Sequence, residues 1–299
     1  MRFIKDYIKD DTLRHALNKL TQDTFGFDFE AWVTNGYYEG DYIPYSYEEN
    51  GRMIANASVN RMEFIQNGKE KYYIQIGTVM TDKEFRNRGY AKELIEKILE
   101  DYIGKCDGIY LFGNLGALEF YDKMGFSRGM QYHYILKNDA RTALQNKARE
   151  LDKTDCFLQV NPAEQQLKSS YMNAVRHSAL NAALEQKNKF GLQMFYTAGM
   201  EQVYYCRKLD CYVIMEEQNH TLYLLSIICT KRILLQQVLE HICGEYDSMI
   251  LGFAPCMEDT DLLDAQLYDG KDEYRLFYYG EELEHIETEK LYFPKLSHA

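Results

Sequence analysis

The sequence contains little proline, no paired cysteine motif and no excess of positive charge. Only 4 of its 299 residues are proline, which disfavours extended disordered linkers. The formal net charge of −12 argues against broad nucleic-acid binding, because contacts to phosphates need a basic surface. The same charge would attract a cationic small substrate, although it also serves solubility.

Long apolar runs are absent as well. The first residues, Met-Arg-Phe-Ile-Lys-Asp-Tyr, lack the apolar stretch of a secretory signal. No segment approaches the roughly 20 apolar residues of a membrane span. The seven cysteines are scattered without a Cys-x-x-Cys pair, which is typical of reduced thiols rather than of a disulfide framework or a zinc site. We therefore expect a cytoplasmic protein that binds neither membranes nor metal.

The chain does contain strand and helix patterns that occur in a similar order twice. In the first half, strand patterns at 52–66 and 71–81 flank the turn Asn67-Gly68, and a loop and helix to about residue 103 precede a strand at 108–113. In the second half, we predict a strand at 156–160, a long helix from Asn161 to about 189, strands at 193–207, 211–216 and 221–229, and a helix at 232–243. The patterns predict a mixed, mostly antiparallel sheet flanked by helices.

A direct comparison supports an internal repeat. Residues 98–111 resemble residues 238–251, and the helix-ending glycines Gly104 and Gly244 correspond. Between the preceding strand and this glycine, the second copy is eight residues shorter, and we place the missing residues at a loop near Gly89. The predicted organisation is a first domain at 1–137, a connector at 138–154 and a second, degenerate domain at 155–299.

The loop near Gly89 has the features of an anion site. The residues Arg86-Asn-Arg-Gly-Tyr-Ala91 join a buried strand to an amphipathic helix. The first turn of a helix presents unpaired N–H groups and partial positive charge. Gly89 permits close backbone approach, and Arg86 and Arg88 add charge. Arginines beside a helix start are more often ordinary surface residues, so this motif is weak by itself.

A second motif follows after the next strand. Residues 114–126 read Asn-Leu-Gly-Ala-Leu-Glu-Phe-Tyr-Asp-Lys-Met-Gly-Phe, and Asn114 is suited to cap a helix. Together the two motifs resemble the GNAT superfamily of acyl-CoA-dependent N-acetyltransferases. The resemblance covers about residues 1–137 by element order and 72–126 by motif. It implies the acyl-CoA N-acyltransferase fold, here in two tandem copies, with acetyl-CoA as co-substrate and no metal.

The resemblance also implies the residues that bind acetyl-CoA. The pantetheine arm would lie beside Val79, Met80 and Thr81, where main-chain groups bond an extended ligand. The remaining cofactor-binding residues implied are Arg86, Asn87, Arg88, Gly89, Tyr90, Ala91, Lys92, Asn114, Ala117 and Phe120. The second domain lacks the loop pattern, so we expect it to bind no CoA and to pack against the first.

Tyr121 matches the position of the family's usual general acid. A phenol keeps its proton at neutral pH and can donate it to the departing thiolate. The base is open between Glu63, which would otherwise be a surface carboxylate, and the C-terminal carboxylate of Ala299, which some tandem GNAT enzymes direct into the active site. The aromatic residues Trp32, Tyr38 and Tyr42 either stack on the acceptor amine or pack a helix.

Three functions remain open from the sequence. The leading hypothesis is acetyl transfer to a primary amine of a small molecule or peptide. The amine would attack directly in a ternary complex, and the protein would be a monomer or a homodimer. The second is a non-catalytic acyl-CoA-binding or regulatory module. The third is a protein-interaction scaffold built on a degenerate repeat.

Overall fold

A computed structural model describes residues 1–270 and 274–298. In chain order the strands are β1 (Arg2–Lys5), β2 (Tyr42–Glu49), β3 (Arg52–Gln66), β4 (Lys69–Thr81), β5 (Gly108–Asn114), β6 (Ser127–Gly129), β7 (Gln131–Leu136), β8 (Leu158–Gln159), β9 (Leu184–Gln186), β10 (Val203–Cys206), β11 (Cys211–Gln218), β12 (Thr221–Ile228), β13 (Ser248–Leu251), β14 (Leu263–Tyr268) and β15 (Tyr274–Tyr279). The helices are α1 (Asp11–Phe25), α2 (Glu30–Thr34), α3 (Tyr90–Tyr102), α4 (Leu118–Lys123), α5 (Asn138–Ala148), α6 (Gln165–Arg176), α7 (Phe190–Thr197), α8 (Leu235–Leu239) and α9 (His285–Thr288).

The strands form two sheets of similar design. The first has the order β1-β2-β3-β4-β5-β15-β6, with β9 also pairing with β3, and the second has the order β14-β7-β13-β12-β11-β10-β8. In each sheet one neighbouring pair is parallel, β4 with β5 and β12 with β13. The predicted fold class, a mixed and mostly antiparallel sheet with flanking helices in two copies, is confirmed.

The two halves of the chain exchange strands between the sheets. β7 follows the first sheet in sequence but pairs with β13 and β14 of the second. Conversely, β15 lies between β5 and β6 of the first sheet. Because each sheet contains a strand from the other half, neither half completes its own sheet. The predicted division into domains at residues 137 and 155 stays a prediction, and the exchange shows how the two halves are joined.

The first sheet has one apolar and one partly polar face. On the apolar face, Leu94, Ile95 and Ile98 of α3 are fully buried against strand residues that include Val59 and Ile76. Each such side chain contributes roughly 1.5–3 kcal/mol through burial. The opposite face is covered by α1 and by parts of the second half, which places the second half directly over the first sheet.

The predicted helix from Asn161 to about residue 189 is wrong in its start and its length. Glu164 is the N-cap, and α6 ends at Arg176. Residues 184–186 instead form β9, which pairs with Phe64–Gln66 of β3. The predicted strand at 193–207 is helical up to Thr197 before β10 begins. An apolar run is compatible with helix or strand, and pairing to a distant strand decided the outcome here.

The two copies differ in a helix more than in a loop. The loop between β4 and α3 has eight residues, and the loop between β12 and α8 has six. In contrast, α3 has 13 residues and α8 only 5. The prediction that the missing residues come from the loop near Gly89 is therefore wrong, because most of the shortening lies in the helix that follows.

One pair of cysteines forms a disulfide, contrary to the prediction of reduced thiols. Cys156 and Cys243 are bonded, although 87 residues separate them in sequence. Folding brings their Cα atoms to 5.8 Å, a proximity that no local spacing reveals. The cysteines therefore no longer support a cytoplasmic location, which stays a prediction.

Candidate active site

The strands β4 and β5 separate at one end of the first sheet. They pair from Tyr73 opposite Gly108 to Ile76 opposite Leu111, and no further. Beyond this point Gly77–Thr81 and Phe112–Asn114 border a gap that we call the first opening. A bulge in β4 contributes to the separation, because Thr78 and Val79 together face Ala57 of β3, and bulges bend the strand that carries them.

A buried hydrogen-bond network fixes this bulge. Thr78 has a positive φ of 44°, and its carbonyl oxygen accepts a hydrogen bond from Asn56 Nδ2 at 2.9 Å. The same nitrogen donates to Ser58 Oγ at 2.9 Å, and Ser58 Oγ donates to the Tyr42 hydroxyl at 2.7 Å. The Tyr42 hydroxyl lies 3.2 Å from Thr78 Oγ1. Both side chains and main chain therefore hold the bulge in place.

The residues expected beside the pantetheine arm differ in orientation. Val79 and Thr81 are half-buried at the first opening. Met80 is only 4% exposed, and its side chain packs in a core cluster with Tyr7 and Met53. Only the backbone of Met80 is thus available to a ligand. The Thr81 carbonyl oxygen accepts a 3.3 Å hydrogen bond from Arg86 Nε, which ties the following loop to the strand.

The loop after β4 leaves the start of α3 free. Gly89 is the N-cap, with a positive φ of 89°, and no side chain caps the helix. A left-handed N-cap without a side chain leaves the first N–H groups, of Tyr90, Ala91 and Lys92, open to a ligand. Asn87 also has a positive φ, of 62°. This geometry fits an anionic group at the helix start.

The two loop arginines have no acidic partner among the described residues, since no carboxylate lies within 4.0 Å of either. Arg88 donates to the Glu84 carbonyl oxygen at 3.0 Å and lies over the Phe85 ring at 5.0 Å. The nearby acids are paired elsewhere, because Arg52 contacts Asp82 at 2.7 Å and Glu84 at 2.6 Å. Arg86 and Arg88 therefore retain their charge for an external anion such as a pyrophosphate.

Tyr121 lies on α4 at the other border of the first opening. Its ring packs against Phe277 at 5.2 Å, and a Cβ on Gly113 would come within 2.9 Å of it. Its hydroxyl makes no hydrogen bond within the described part of the chain. Burial raises the pKa of Tyr121 to about 12, so the phenol keeps its proton and is suited to donate it.

The residues around Tyr121 differ more from the prediction than Tyr121 itself. Asn114 is exposed and its side chain makes no capping bond, so its predicted capping role is wrong. A short 3-10 turn over Leu115–Ala117 precedes α4 instead of a continuous helix. Ala117 and Phe120 are half-buried, and the Phe120 ring lies 5.1 Å from that of Tyr121. Both remain available to contact a cofactor.

Glu63 lies away from the first opening. It is exposed and lies opposite Tyr72 of β4. Tyr72 is four residues before Ile76, where β4 and β5 separate. Four residues of strand span about 13 Å. Its side chain also projects from the apolar face of the sheet, opposite to that of Asn60. The structure therefore gives Glu63 no role as the base.

The predicted acceptor aromatics are close together but mostly buried. The rings of Trp32 and Tyr38 lie 5.2 Å apart, and those of Trp32 and Tyr42 6.1 Å apart. Trp32 is 8% exposed and donates Nε1–H to the Gly191 carbonyl at 2.7 Å. These contacts favour packing between the two halves, although Trp32 and Tyr42 also line a small cleft.

The C-terminal segment also reaches the first opening. The His298 ring stacks on Phe112 at 3.7 Å, and the Tyr196 hydroxyl donates to the His298 carbonyl oxygen. Burial lowers the pKa of His298 to about 3, so the imidazole is neutral. Ala299, the other candidate base, lies outside the described residues. The sequence analysis missed Phe112, Tyr196 and His298, because only folding brings them together.

Among the polar residues, Asn56 and Ser58 were missed although a signal was present. Together with Asn60 they alternate with apolar residues in β3, and all three are buried. Polar residues at every second position of a buried strand indicate a polar site on one sheet face.

The second sheet has a corresponding gap, here called the second opening. Its parallel pair, β12 and β13, ends at Leu224 opposite Leu251. The protein's own backbone occupies the gap: Ala179 N–H donates to the Cys229 carbonyl at 2.7 Å, and Ala183 N–H to the Ala254 carbonyl at 2.9 Å. From the C-terminal segment, Lys295 N–H donates to the Gly252 carbonyl at 2.7 Å. These bonds use main-chain carbonyls that border the gap, and a cavity of only about 20 Å³ remains beside Leu225, Ser226 and Ile227.

An opening between the parallel strands of a mixed sheet, with a free helix start beside it, defines an acyl-CoA-dependent acyltransferase fold. Residues 8–126 match the model of the acetyltransferase (GNAT) family. Over this part of the chain the protein is therefore similar to the acetyltransferases of that family. No curated protein matches the chain in sequence.

Solved structures share the fold along nearly the whole chain. A GCN5-related N-acetyltransferase from Kribbella flavida has a TM-score of 0.56 at 14% identity, over 95% of this chain and 72% of that one. A probable N-acyltransferase from Enterococcus faecalis V583 has 0.55 at 15%, over 94% and 73%. Eis1 from Mycobacterium abscessus has 0.52 at 14%, over 92% and 73%. At such identities the likeness concerns the fold alone.

Two further findings concern the described residues as a whole. No group of three or more His, Cys, Asp or Glu side chains in them is placed to hold a metal ion. None of their helices is long and apolar enough to cross a membrane.

Proposed function

We propose that the protein transfers the acetyl group of acetyl-CoA to a primary amine of a small molecule or peptide. The observation that carries this proposal is the first opening, which combines separated strands, an uncapped α3 and a protonated Tyr121. The residues present fit acetyl-CoA, because the loop offers two uncompensated arginines and open N–H groups to a pyrophosphate. The reactive thioester that acetyl-CoA supplies would lie between β4 and β5.

The chain's own residues then have distinct roles. Main-chain groups of Val79 and Thr81 bind an extended arm, and residues 86–92 hold the phosphates. The amine approaches from the polar face of the sheet and attacks the acetyl carbonyl directly, in a ternary complex. The C–N bond forms as the C–S bond breaks, and the phenol of Tyr121 donates its proton to the departing thiolate. The proton that the amine nitrogen loses passes to solvent, and solvent returns one proton to the phenolate. Asn56 and Ser58 position the bulge without touching the reactants.

The second half supports the site without a second cofactor. β15 pairs with Phe112, Gly113 and Asn114, so it stabilises the free end of β5. The filled second opening supports the prediction that this half binds no CoA. We further propose that the protein is cytoplasmic and that it is either a monomer or a homodimer.

A thiol-release assay tests the function. Acetyl-CoA is incubated with the protein and a panel that contains a polyamine, an amino sugar and a lysine peptide, and free CoA thiol is measured. Release that depends on an amine is the expected result. Acetyl-CoA binding by calorimetry without release for any amine would instead identify a non-catalytic binding module, and absence of binding would leave the interaction scaffold.

A further inference from the structure

A small cleft lies on the polar face of the first sheet, next to the first opening. We call it the Asn60 cleft. Its volume is about 20 Å³, enough for one group of the size of a water molecule, such as a single oxygen atom. The first half contributes Trp32, Tyr42 and Asn60 to its walls, and the second half contributes residues between 186 and 192. The cleft therefore exists only where the two halves meet.

The strand register places the Asn60 cleft within reach of the reaction. Ser58 of β3 lies opposite Gly77 at the start of the first opening, and Asn60 is two residues further along β3. Strand dimensions convert the offset between Asn60 and Gly77 to about 8 Å between Cα atoms. Tyr42 links the two sites directly, because it lines the cleft while its hydroxyl contacts Thr78.

Two hydrogen-bond donors at the cleft lack partners. Asn60 is 6% exposed, and its Nδ2 is enclosed without a hydrogen bond to any described residue. The enclosed Nε of Arg61 is in the same condition, since Asp41 Oδ1 lies 3.7 Å away, too far for a hydrogen bond. Within the described chain, no enclosed side-chain acceptor of the cleft residues lacks a partner. Because buried donors need an acceptor, the cleft suits an oxygen atom with free lone pairs rather than a further donor.

The charges around the cleft balance, so they favour a neutral group. The cleft is bordered by two carboxylates, of Glu39 and Asp41. Asp41 faces Arg61, and Glu39 is paired with Arg176. A carboxylate ligand would lie close to both acids, and an ammonium group would find two donors instead of acceptors. A neutral carbonyl oxygen has two lone pairs and no hydrogen, so it can accept from both unpartnered donors.

We propose that the Asn60 cleft binds the carbonyl oxygen of an amide in the acceptor, so that the protein acetylates amines that carry an amide in preference to plain alkylamines. This inference rests on the proposed acetyl transfer to amines and narrows the class of acceptor. The reacting nitrogen lies at the first opening while Asn60 Nδ2 and Arg61 Nε donate to the amide oxygen. The offset of about 8 Å sets the scale of the distance between the two groups, so several bonds separate the amine from the amide.

A matched series of acceptors tests the inference. Thiol release from acetyl-CoA is measured with ω-amino carboxamides, ω-amino carboxylates and n-alkylamines whose carbon number increases stepwise. The expected result is a carboxamide kcat/KM about tenfold above that of the alkylamine of equal length, with an optimum at intermediate length, since hydrogen bonds to enclosed donors are worth this much. The carboxylates should gain less, because Glu39 and Asp41 border the cleft. Equal values for carboxamides and alkylamines at every length, or a larger gain for the carboxylates, would overturn the inference.

Variants of the cleft give a second, independent test. Asn60→Leu removes the donor at similar side-chain volume and should reduce the carboxamide-to-alkylamine ratio of kcat/KM about tenfold. Arg61→Lys keeps the charge beside Asp41 and removes Nε. It should reduce the ratio less, and it carries little risk to folding because the Arg61 side chain is 43% exposed. Asn181→Leu alters an equally buried asparagine of the second half and should leave the ratio unchanged. An unaltered ratio in both cleft variants would contradict the role of the cleft.

The outcomes separate this inference from the function on which it rests. If the wild-type protein releases no thiol with any amine, the proposed function fails and this inference fails with it. If it acetylates alkylamines and amino carboxamides equally, only the inference about the Asn60 cleft fails.

Discussion

The first and second openings share strand geometry but differ in what borders and occupies them. Both arise where the parallel pair of a mixed sheet separates. Beside the first opening, the 13-residue helix α3 begins with free N–H groups, whereas the corresponding α8 has only 5 residues. The second opening is occupied by residues 179–183 and by the backbone at Lys295. Separation of two strands is therefore not sufficient for a ligand site.

The difference teaches what the first opening needs in order to bind acetyl-CoA. Unpaired main-chain groups in a gap must be satisfied by a ligand, by water or by the protein itself. In the second half the protein's own backbone satisfies them, so no ligand is held there and no long helix is needed beside the gap to bind phosphates. In the first half these groups remain available, and the helix and arginines that suit phosphates are retained.

The largest expected effect concerns the chemistry of the first opening. Tyr121→Phe removes the proton donor and should lower kcat by roughly 10²–10⁴-fold, the contribution typical of general acid catalysis. Acetyl-CoA affinity, measured by calorimetry, should not change. Tyr246→Phe, a buried tyrosine of the second half with no hydrogen-bond partner among the described residues, is the matched control. Unchanged kcat in the Tyr121 variant would remove the assignment.

The next effect distinguishes the loops beside the two openings. Replacing Arg86 and Arg88 with alanine should raise the dissociation constant of acetyl-CoA at least about tenfold, because charge-assisted bonds to phosphate are lost. The matched variant replaces Lys231 and Arg232, which follow β12, and should bind normally with one acetyl-CoA per chain. Weakened binding in the second variant would show that the second half takes part in cofactor binding.

A third effect concerns the network at the bulge. Asn56→Ala leaves buried partners unsatisfied, and the free energy of unfolding in urea should fall by about 2–3 kcal/mol. Because the bulge also positions β4, acetyl-CoA affinity should fall in the same variant. Asn181→Ala, at the second opening, removes a side chain that accepts a hydrogen bond from Ile233 N–H at 3.2 Å. It should reduce stability alone, so a loss of affinity there would argue against separate roles.

The smallest expected effect is that kcat stays independent of pH on the alkaline side of its profile. Tyr121 acts in its protonated form, and burial raises its pKa to about 12. Activity due to this group is therefore complete below that value and is lost only as the pH rises through it. The alkaline side of the kcat profile should stay flat to about pH 10. A descending limb near pH 8 that disappears in Tyr121→Phe would contradict this result.

Predictions from local patterns agree best with the structure. The turn Asn67-Gly68 has two positive φ values, 45° and 81°, as a tight hairpin requires. The helix after Gly89 was predicted to about residue 103, and α3 ends at Tyr102. In the aromatic stretch 25–47, by contrast, no element was predicted, although α2 and most of β2 lie there. Alternating aromatic and acidic residues gave no single period there.

The sequence by itself determined the loop near Gly89, the motif around Tyr121 and the alternation of strands and helix over residues 52–113, because short-range backbone preferences and side-chain spacing decide them. Only the tertiary structure decided the exchange of β7 and β15, the Cys156–Cys243 bond and the occupied second opening. Each of these depends on residues far apart in sequence. Hydrogen bonds between strands use the same main-chain groups in every residue, so the choice of partner follows from packing of the whole chain.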